Sequence, residues 1–455
     1  MVDVPLESLT GSPPVQRSSA GRTFYLETFG CQMNVHDSEK VAGLLQARGY
    51  RQVNHPERAD LVLYNTCSIR EKAAQKVFAH LGQHKRAPEQ GRVVGVLGCV
   101  AQQEGEHVFD RAPWVSLVCG SASYRRLPQL LDRLETGDNR VTGLDLDVDR
   151  TFETEVTRRD HPFRAYVTII EGCDKHCAFC VVPSTRGPER SRPSSAVLSE
   201  VRRLARTDYS EVQFLGQTVD SWRDAGPAGL TFAQLLLAAA DVPGIRRVRF
   251  TTSHPRDFHP DIIRAIDSCA TLCEHVHLPV QSGSNRVLEI MRRGYSREEY
   301  LATVALVRSA RRPISLTTDV IVGFPGETED DFASTLDLLE RARYDGVFAF
   351  KYSPRPNTPA AAWPDQVPEE EKSRRLAVLL DRQRQIQLEH NWAMIGRSVE
   401  VLIDGRHDAR GQWTGRTSSN RVVNFTSPLP ALLGQYAQVV ITKAGPNSLV
   451  GEHSA

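Results

Sequence analysis

Three cysteines, Cys173, Cys177 and Cys180, lie in the stretch GCDKHCAFC, directly after a β-type run. Three thiolates on one loop suit a soft metal or an iron–sulfur cluster. Structural zinc is normally held by four ligands in paired spacing, and this loop has no fourth cysteine nearby. A four-iron cluster held by three thiolates leaves one iron with an open position that can bind a small molecule. Three further cysteines, Cys31, Cys67 and Cys99, are far apart in sequence, yet each follows a different β-type run. Loops at the carboxyl ends of parallel strands converge on one crevice, so these three can meet as a second ligand set. Cys119 follows a fourth run and could join them; spacing does not choose three over four. Cys269 and Cys273 fall in no such pattern, and a lone cysteine commonly serves as a small buried hydrophobe.

These loops need elements to hold them. Thr23–Glu27, Asp60–Thr66, Arg92–Gly98 and Trp114–Val118 are β-type runs alternating with helical patterns, which predicts a three-layer α/β/α domain on a parallel sheet. A second alternating array has runs at Ala165–Ile170, Glu211–Leu215, Arg246–Thr252, His275–Val280, Ile314–Val322 and Gly346–Tyr352. Six β/α units predict a partial, TIM-like (βα)6 barrel, and Cys173 to Cys180 then sit at the carboxyl end of its first strand. A charged amphipathic helix, Glu369–His390, follows. Beyond Ile395 the runs Ser398–Ile403, Gln412–Thr417, Val422–Phe425 and Ala437–Thr442 carry no helix between them and predict a small all-β barrel. The expected division is a tail at 1–21, a first domain at 22–138, a linker at 139–158, a barrel core at 159–390 and the β module at 391–455.

The 455 residues carry 56 Lys+Arg and 55 Asp+Glu, a formal charge of +1, which excludes an overall polycation. Contact with nucleic acid then needs a local basic patch and weakens with salt. In the β module Arg406, Arg410, Arg416, Arg421 and Lys443 intersperse with Trp413, Phe425 and Tyr436, a composition that can stack on single-stranded RNA or can be a solvated face. Arg186, Arg190 and Arg192, after the cluster loop, are expected to face phosphate or solvent. No apolar run is long enough to span a bilayer. Met1–Arg22 is rich in Ser, Pro and Gly and lacks a basic segment followed by an apolar one, so it reads as a disordered tail and not a secretory signal. The expected location is cytoplasmic, where disulfides are rare and nine cysteines call for a metal or redox role.

The spacing of three residues and then two, with Phe179 before the last cysteine, resembles the radical S-adenosylmethionine superfamily. TFGCQMNVHDSE, YNTCSIREKAAQKVFAHLG, LGCVAQQEGE, GCDKHCAFCVVPSTRGPERSR, FLGQTVDSW, TSHP, HLPVQSGSNRVLEIMRRGYSREEY, TDVIVGFPGETEDDF and KYSPRPNTPAA together resemble the methylthiotransferases, over about Thr23 to Val450. NTCSIREKA is most similar to the branch acting on dimethylallyladenosine in tRNA; the branches acting on threonylcarbamoyladenosine or on a ribosomal protein usually depart there. His176 and Ala178 stand where that branch often has other residues.

The resemblance implies two [4Fe–4S] clusters, a radical-generating one on Cys173, Cys177 and Cys180 and an auxiliary one on Cys31, Cys67 and Cys99. It leaves Cys119, Cys269 and Cys273 structural. It implies S-adenosylmethionine as cofactor, with Gly216 and Gln217 toward its methionine amino group, Gln281, Ser282 and Arg293 toward ribose or carboxylate, and Gly323 in a loop past the adenine. It implies a C-terminal TRAM barrel that binds tRNA, and methylthiolation of C2 of N6-dimethylallyladenosine at position 37 using two S-adenosylmethionine molecules. An electron donor, a sulfur source and a monomeric state are further expectations. The alternatives are the same chemistry on the sibling substrates, or a non-catalytic iron–sulfur RNA-binding protein.

Overall fold

The structure, a computed structural model, describes residues 21–68, 71–146, 157–226, 228–427 and 432–454. The predicted tail, apart from residue 21, lies outside the described residues, as do the middle of the predicted linker and Ile69 and Arg70 of the NTCSIREKA stretch.

The first domain is built on six parallel strands in the spatial order Arg51–Gln52, Thr23–Phe29, Leu61–Thr66, Val93–Gly98, Leu117–Cys119 and Val141–Gly143. Leu61–Thr66 is buried at every position, as a parallel strand covered on both faces must be. Val41, Leu45, Leu61 and Leu63 belong to the core on one face, and Val62, Tyr64, Val94 and Val96 to the core on the other, so the predicted three layers are present. Val141–Gly143 lies inside the span predicted as linker and corrects it: this short VTG run pairs with Leu117–Cys119 as the sixth strand.

The barrel strands are Arg164–Thr168, Glu211–Leu215, Arg247–Phe250, His275–His277, Ser315–Val322 and Gly346–Lys351, paired in parallel as two three-stranded sheets. A single bridge, Val248 to Leu272, joins them. No ladder among the described residues joins the first strand to the last, so the barrel is open along that flank. Outward-facing apolar residues pack beneath the helices in one large cluster from Ala165 to Ile386. Helix 329–342 opens with a reciprocal capping box between Thr328 and Asp331, and the helix Arg297–Arg308 with one between Ser296 and Glu299. Phe348 and Phe350, on the inner face of the last strand, remain exposed, Phe348 edge-on to His277 at 5.7 Å.

The C-terminal module is a closed barrel of five strands, one more than the alternation predicts. The missed strand is Leu449–His453, whose central Gly451 and polar end weaken its β signature. A Cβ at Gly451 would lie 2.5 Å from the Val440 carbonyl oxygen, so close strand contact excludes a side chain there. This module seals the amino end of the large barrel. Arg247 donates to the carbonyls of Glu400 and Arg416, and Arg249 to those of Thr417 and Ser418.

Buried charge joins the first domain to the large barrel. Arg159 ion-pairs with Glu39 of the first domain at 3.4 Å and with Glu200 of the barrel. Arg192 also pairs with Glu200, and His36 Nδ1 lies 3.1 Å from Glu39. Glu39, Glu200 and Arg192 are all buried. Removing one member of such a set strands the others, at roughly 3–5 kcal/mol. No helix among the described residues is long and apolar enough to cross a membrane. Glu200→Ala is expected to lower the unfolding free energy by about 3–5 kcal/mol in urea titrations, whereas Glu340→Ala, which breaks only an exposed pair with Arg382, should cost under about 1 kcal/mol.

Candidate cluster and cofactor site

The loop after the first barrel strand holds its three sulfurs against donors. The Lys175 backbone N–H lies 3.4 Å from Cys173 Sγ, the Val182 N–H 3.5 Å from Cys180 Sγ, and an Arg293 guanidinium nitrogen 3.3 Å from Cys177 Sγ. Donors on every sulfur stabilise thiolates. Burial, followed by the neighbouring Cys177, pushes the Cys180 thiol up to about 12, so its deprotonation calls for a bound cation.

Cys31, Cys67 and Cys99 come together at the carboxyl ends of three adjacent strands. Cys67 is hydrogen-bonded to Cys31, an interaction that pulls the Cys31 thiol down to about 6 against burial, and Cys99 lies within the field of both Cys31 and Arg186. Two buried asparagines fix the loops from behind. Asn65 donates to the Asn34 carbonyl at 2.9 Å and Asn34 donates to Asn65 Oδ1 at 3.3 Å, while Cys31 Sγ lies 3.2 Å from Asn34 Oδ1. A Cβ at Gly30, whose φ is +147°, would stand 2.5 Å from Cys67 Cβ, so only glycine lets the first loop approach the second. Cys119 does not join them: its Sγ contacts the carbonyl of Gly120 at 3.7 Å, it belongs to the apolar core, and burial pushes its thiol to about 12. Cys119 thus stands apart from the other three thiols.

Among the described residues, no three His, Cys, Asp or Glu side chains converge on a ready-made site for one metal ion. A four-iron cube does not ask for that, since each thiolate takes a different iron and the sulfurs stay apart, whereas zinc draws its sulfurs to within about 2.3 Å. By chemistry, three thiolates in either set suit a soft metal centre such as an iron–sulfur cluster.

At the same end of the barrel, several buried polar atoms have no hydrogen-bond partner among the described residues: Thr168 Oγ1, Gln217 Oε1, Ser253 Oγ and His254 Nε2. They follow or end the first three strands, and buried atoms of this kind fit a polar ligand. His254 is held neutral, down to about 2, by burial and then by Arg293 and Lys175. Its Nδ1 accepts from the Arg256 N–H at 3.3 Å, which leaves Nε2 carrying the proton as a donor. Asp220, fully buried, accepts the His254 backbone N–H on both oxygens at 2.8 and 2.9 Å. Thr252 and Gln281, at the ends of the third and fourth strands, have φ of +71° and +75°. Left-handed backbone at non-glycine residues costs about 1–3 kcal/mol and gathers at functional sites. Sequence reading assigned no role to Asp220, Ser253 or His254, although FLGQTVDSW and TSHP carried them.

The residues expected around the cofactor make the following contacts within the chain. Arg293 is buried, with its guanidinium on Cys177 Sγ, the Pro279 carbonyl at 3.0 Å and the Tyr295 hydroxyl at 3.1 Å, so it supports the cysteine loop. Ser282 is fully buried, its hydroxyl accepting from the Ser284 N–H at 3.2 Å and facing Thr335 Oγ1 at 3.5 Å, and it shapes its own loop. Gln281 bridges to Val320 through its backbone. Gly323 donates to Glu327 Oε1 at 2.9 Å, and a Cβ there would meet Lys372 Cγ at 2.3 Å, so the GFPGE loop closes against the long helix Glu369–Trp392. A Cβ at Gly216 would lie 2.1 Å from Ile170 Cγ2, which lets the second strand end against the cysteine loop's base.

The arginines after the cysteine loop do not face phosphate or solvent. Arg186 pairs with Asp37 at 2.6 Å, Arg190 with Glu171 at 3.6 Å, and Arg192 with Glu200. In the β module, Phe425 and Trp413 are core residues. Tyr436 is covered by Arg246 at 3.7 Å and bonds Ser210, and Arg421 pairs with Asp345, so these two belong to the seam with the large barrel. Arg416, half-exposed, turns toward Asn420 and Asp404. Arg406, Arg410 and Lys443 stay exposed, as does Trp392 at the module's entrance.

The chain matches three family models: the uncharacterized protein family UPF0004 over residues 23–120, the radical SAM superfamily over 167–339 and the TRAM domain over 393–453. It is 60% identical over 439 residues, 96% of this chain and 99% of the relative, to a tRNA-2-methylthio-N(6)-dimethylallyladenosine synthase from Solibacter usitatus (strain Ellin6076). It is 57% identical, over 96% of this chain and 99% of the relative, to the protein of the same name from Koribacter versatilis (strain Ellin345). Among solved structures, the radical S-adenosylmethionine methyltransferase TsrM from Kitasatospora setae, with tryptophan and a SAM analog bound, matches with a TM-score of 0.55 at 14% identity, over 75% of each chain. That likeness is one of fold.

Metal-free protein offers a direct check on the thiol environments. Cys31 ionises near 6 and Cys119 near 12, so at pH 7.5 iodoacetamide is expected to alkylate Cys31 first and Cys119 last, read by peptide mass spectrometry. The Cys31 rate should fall as pH drops through its thiol range, because protonation removes the nucleophile.

Proposed function

This chain belongs to the family of tRNA-2-methylthio-N6-dimethylallyladenosine synthases, and on that premise we propose that it replaces the C2 hydrogen of N6-dimethylallyladenosine, at position 37 of tRNA, with a methylthio group, using S-adenosylmethionine both as methyl donor and as radical source. The observation that carries the reading is the pairing of two three-cysteine sets from different domains, linked by the arm that runs from Cys180 to Arg186. Cys173, Cys177 and Cys180 would hold a [4Fe–4S] cluster that, when reduced, would supply the electron for cleavage of S-adenosylmethionine, and Cys31, Cys67 and Cys99 would hold a second that would carry the sulfur to be transferred.

The residues then divide the remaining work. The Lys175 and Val182 N–H groups and Arg293 stabilise negative charge on the barrel sulfurs. Gln217 Oε1 is a buried acceptor suited to the cofactor's ammonium, and neutral His254 Nε2–H a buried donor suited to its oxygens or ring nitrogens. Asp220 holds the His254 backbone in place. On the C-terminal module Arg406 and Arg410 are exposed beside the end of its first strand, and Lys443 and the 54% exposed Trp392 near that strand's start, so phosphate contact and base stacking would draw on both ends of the small barrel.

Two exposed phenyl rings support dimethylallyladenosine over threonylcarbamoyladenosine. Phe348 and Phe350 alternate on the inner face of the strand at the open flank and are 54% and 38% exposed. An apolar five-carbon substituent gains by covering them, and a charged threonylcarbamoyl group does not.

Cys177→Ala is expected to abolish reductant-dependent 5′-deoxyadenosine, whereas Cys67→Ala should keep that cleavage and lose methylthio insertion, both read by mass spectrometry of reaction mixtures and digested RNA. Product from both variants would refute the ligand assignment. Replacing Phe348 and Phe350 together by Ser is expected to raise KM for a dimethylallyladenosine stem-loop by about tenfold, the equivalent of ~1.4 kcal/mol of lost apolar cover; an unchanged KM places the prenyl group elsewhere.

A further inference from the structure

Arg186 belongs to the radical domain by sequence but not by contact. It ends the short helix Val182–Arg186, whose first N–H is bonded to Cys180 Sγ. The five residues of this helix, with the turn before it, reach from the barrel's cysteine loop into the first domain. There the guanidinium is buried and bonded to Asp37 at 2.6 Å. It also donates to Cys99 and lies within the field of Cys31 and Tyr124. Asp37, itself buried, sits on the helix Gln32–Ala47 that begins immediately after Cys31. Among the described residues these two side chains are the opposite charges packed against the first domain's thiols.

We infer that Arg186 and Asp37 set the charge of the first domain's three-cysteine site, with Arg186 as the positioning residue that makes the site receptive to an anionic inorganic sulfur ligand. The inference rests on the reading of Cys31, Cys67 and Cys99 as cluster ligands. Three thiolates buried together repel one another and any further anion, such as hydrosulfide, that adds to an open iron. Buried charge is tolerated when it is paired and hydrogen-bonded. Arg186 provides that pairing with its positive end toward Cys99, and Asp37 partly offsets it from the side of its own helix. The two residues therefore have opposite signs of effect: losing the cation makes the site more electron-rich, and losing the carboxylate makes it less so. Because the cation arrives from the other domain on the arm that starts at Cys180, the auxiliary site is electrically complete only when the two domains are docked.

The test isolates the first-domain cluster in full-length protein carrying Cys173→Ala, Cys177→Ala and Cys180→Ala, reconstituted anaerobically with iron and sulfide. Midpoint potential is read by dithionite titration with electron paramagnetic resonance, and affinity is read with sodium sulfide as the added ligand. Arg186→Gln is expected to lower the midpoint potential and weaken sulfide binding about tenfold or more, the scale of a lost charge-assisted hydrogen bond. Arg186→Lys should recover most of both, and Asp37→Asn should move the potential upward. Shifts of the same sign for Arg186→Gln and Asp37→Asn would mark a merely structural pair and overturn the inference, as would unchanged potential and affinity. If the triple-alanine protein takes up no iron, the reading of Cys31, Cys67 and Cys99 as ligands fails, and the inference with it. Sulfide affinity that falls only for Arg186→Gln, with potentials moving in opposite directions, supports it.

Discussion

Buried ion pairs between the first domain and the large barrel hold the two cysteine sets in one working unit. Glu39, Arg159, Glu200 and Arg192 form one set of contacts, and Asp37 with Arg186 forms another. Buried pairs of this kind add little net stability compared with apolar packing of the same volume, but they penalise misdocking heavily, because any displacement leaves a charge unpaired in the interior. That trade suits a protein whose two sites must share one substrate atom. On the proposed reading, transfer of sulfur to carbon draws on both cysteine sets.

The large barrel is shaped around the same requirement. Its inner face is polar along much of its length, with Glu211, Arg247, Arg249, His275, His277 and Asp319 on successive strands. The C-terminal module closes its amino end through Arg247 and Arg249, so access is confined to the carboxyl ends and the open flank between the first and last strands. Left-handed backbone at Thr252 and Gln281 and the unpartnered atoms of Gln217, Ser253 and His254 gather at that carboxyl end. The module thus contributes twice: its barrel seals the enzyme's core, and its surface leaves Arg406 and Arg410 exposed at one end and Lys443 and Trp392 at the other.

What could be read from the chain alone was mostly local. The spacing of Cys173, Cys177 and Cys180 is a property of one loop, and the strands preceding Cys31, Cys67 and Cys99 announce themselves by runs of apolar and β-branched residues. The rest depends on partners distant in sequence. Arg186 and Asp37 are separated by 149 positions, and nothing in the PSTRGPERSR stretch says that its arginines turn inward to carboxylates. That the Cys119 thiol lies in the apolar core was visible only in the folded chain. The aromatic residues of the C-terminal module satisfied a composition for RNA stacking, but a five-stranded barrel this small needs Phe425 and Trp413 for its own core. Val141–Gly143 and Leu449–His453 escaped because three residues, or a strand interrupted by glycine, give too short a pattern to distinguish from loop.

The central claim is that the two three-cysteine sets act as a single site across the domain seam. Electron paramagnetic resonance of anaerobically reconstituted, fully reduced protein tests it most directly. The account predicts two four-iron clusters per chain whose signals are broadened by mutual spin–spin interaction, with the interaction lost and a single unperturbed signal left in Cys67→Ala. Two clusters that relax independently in the intact protein, or one cluster alone, would contradict it.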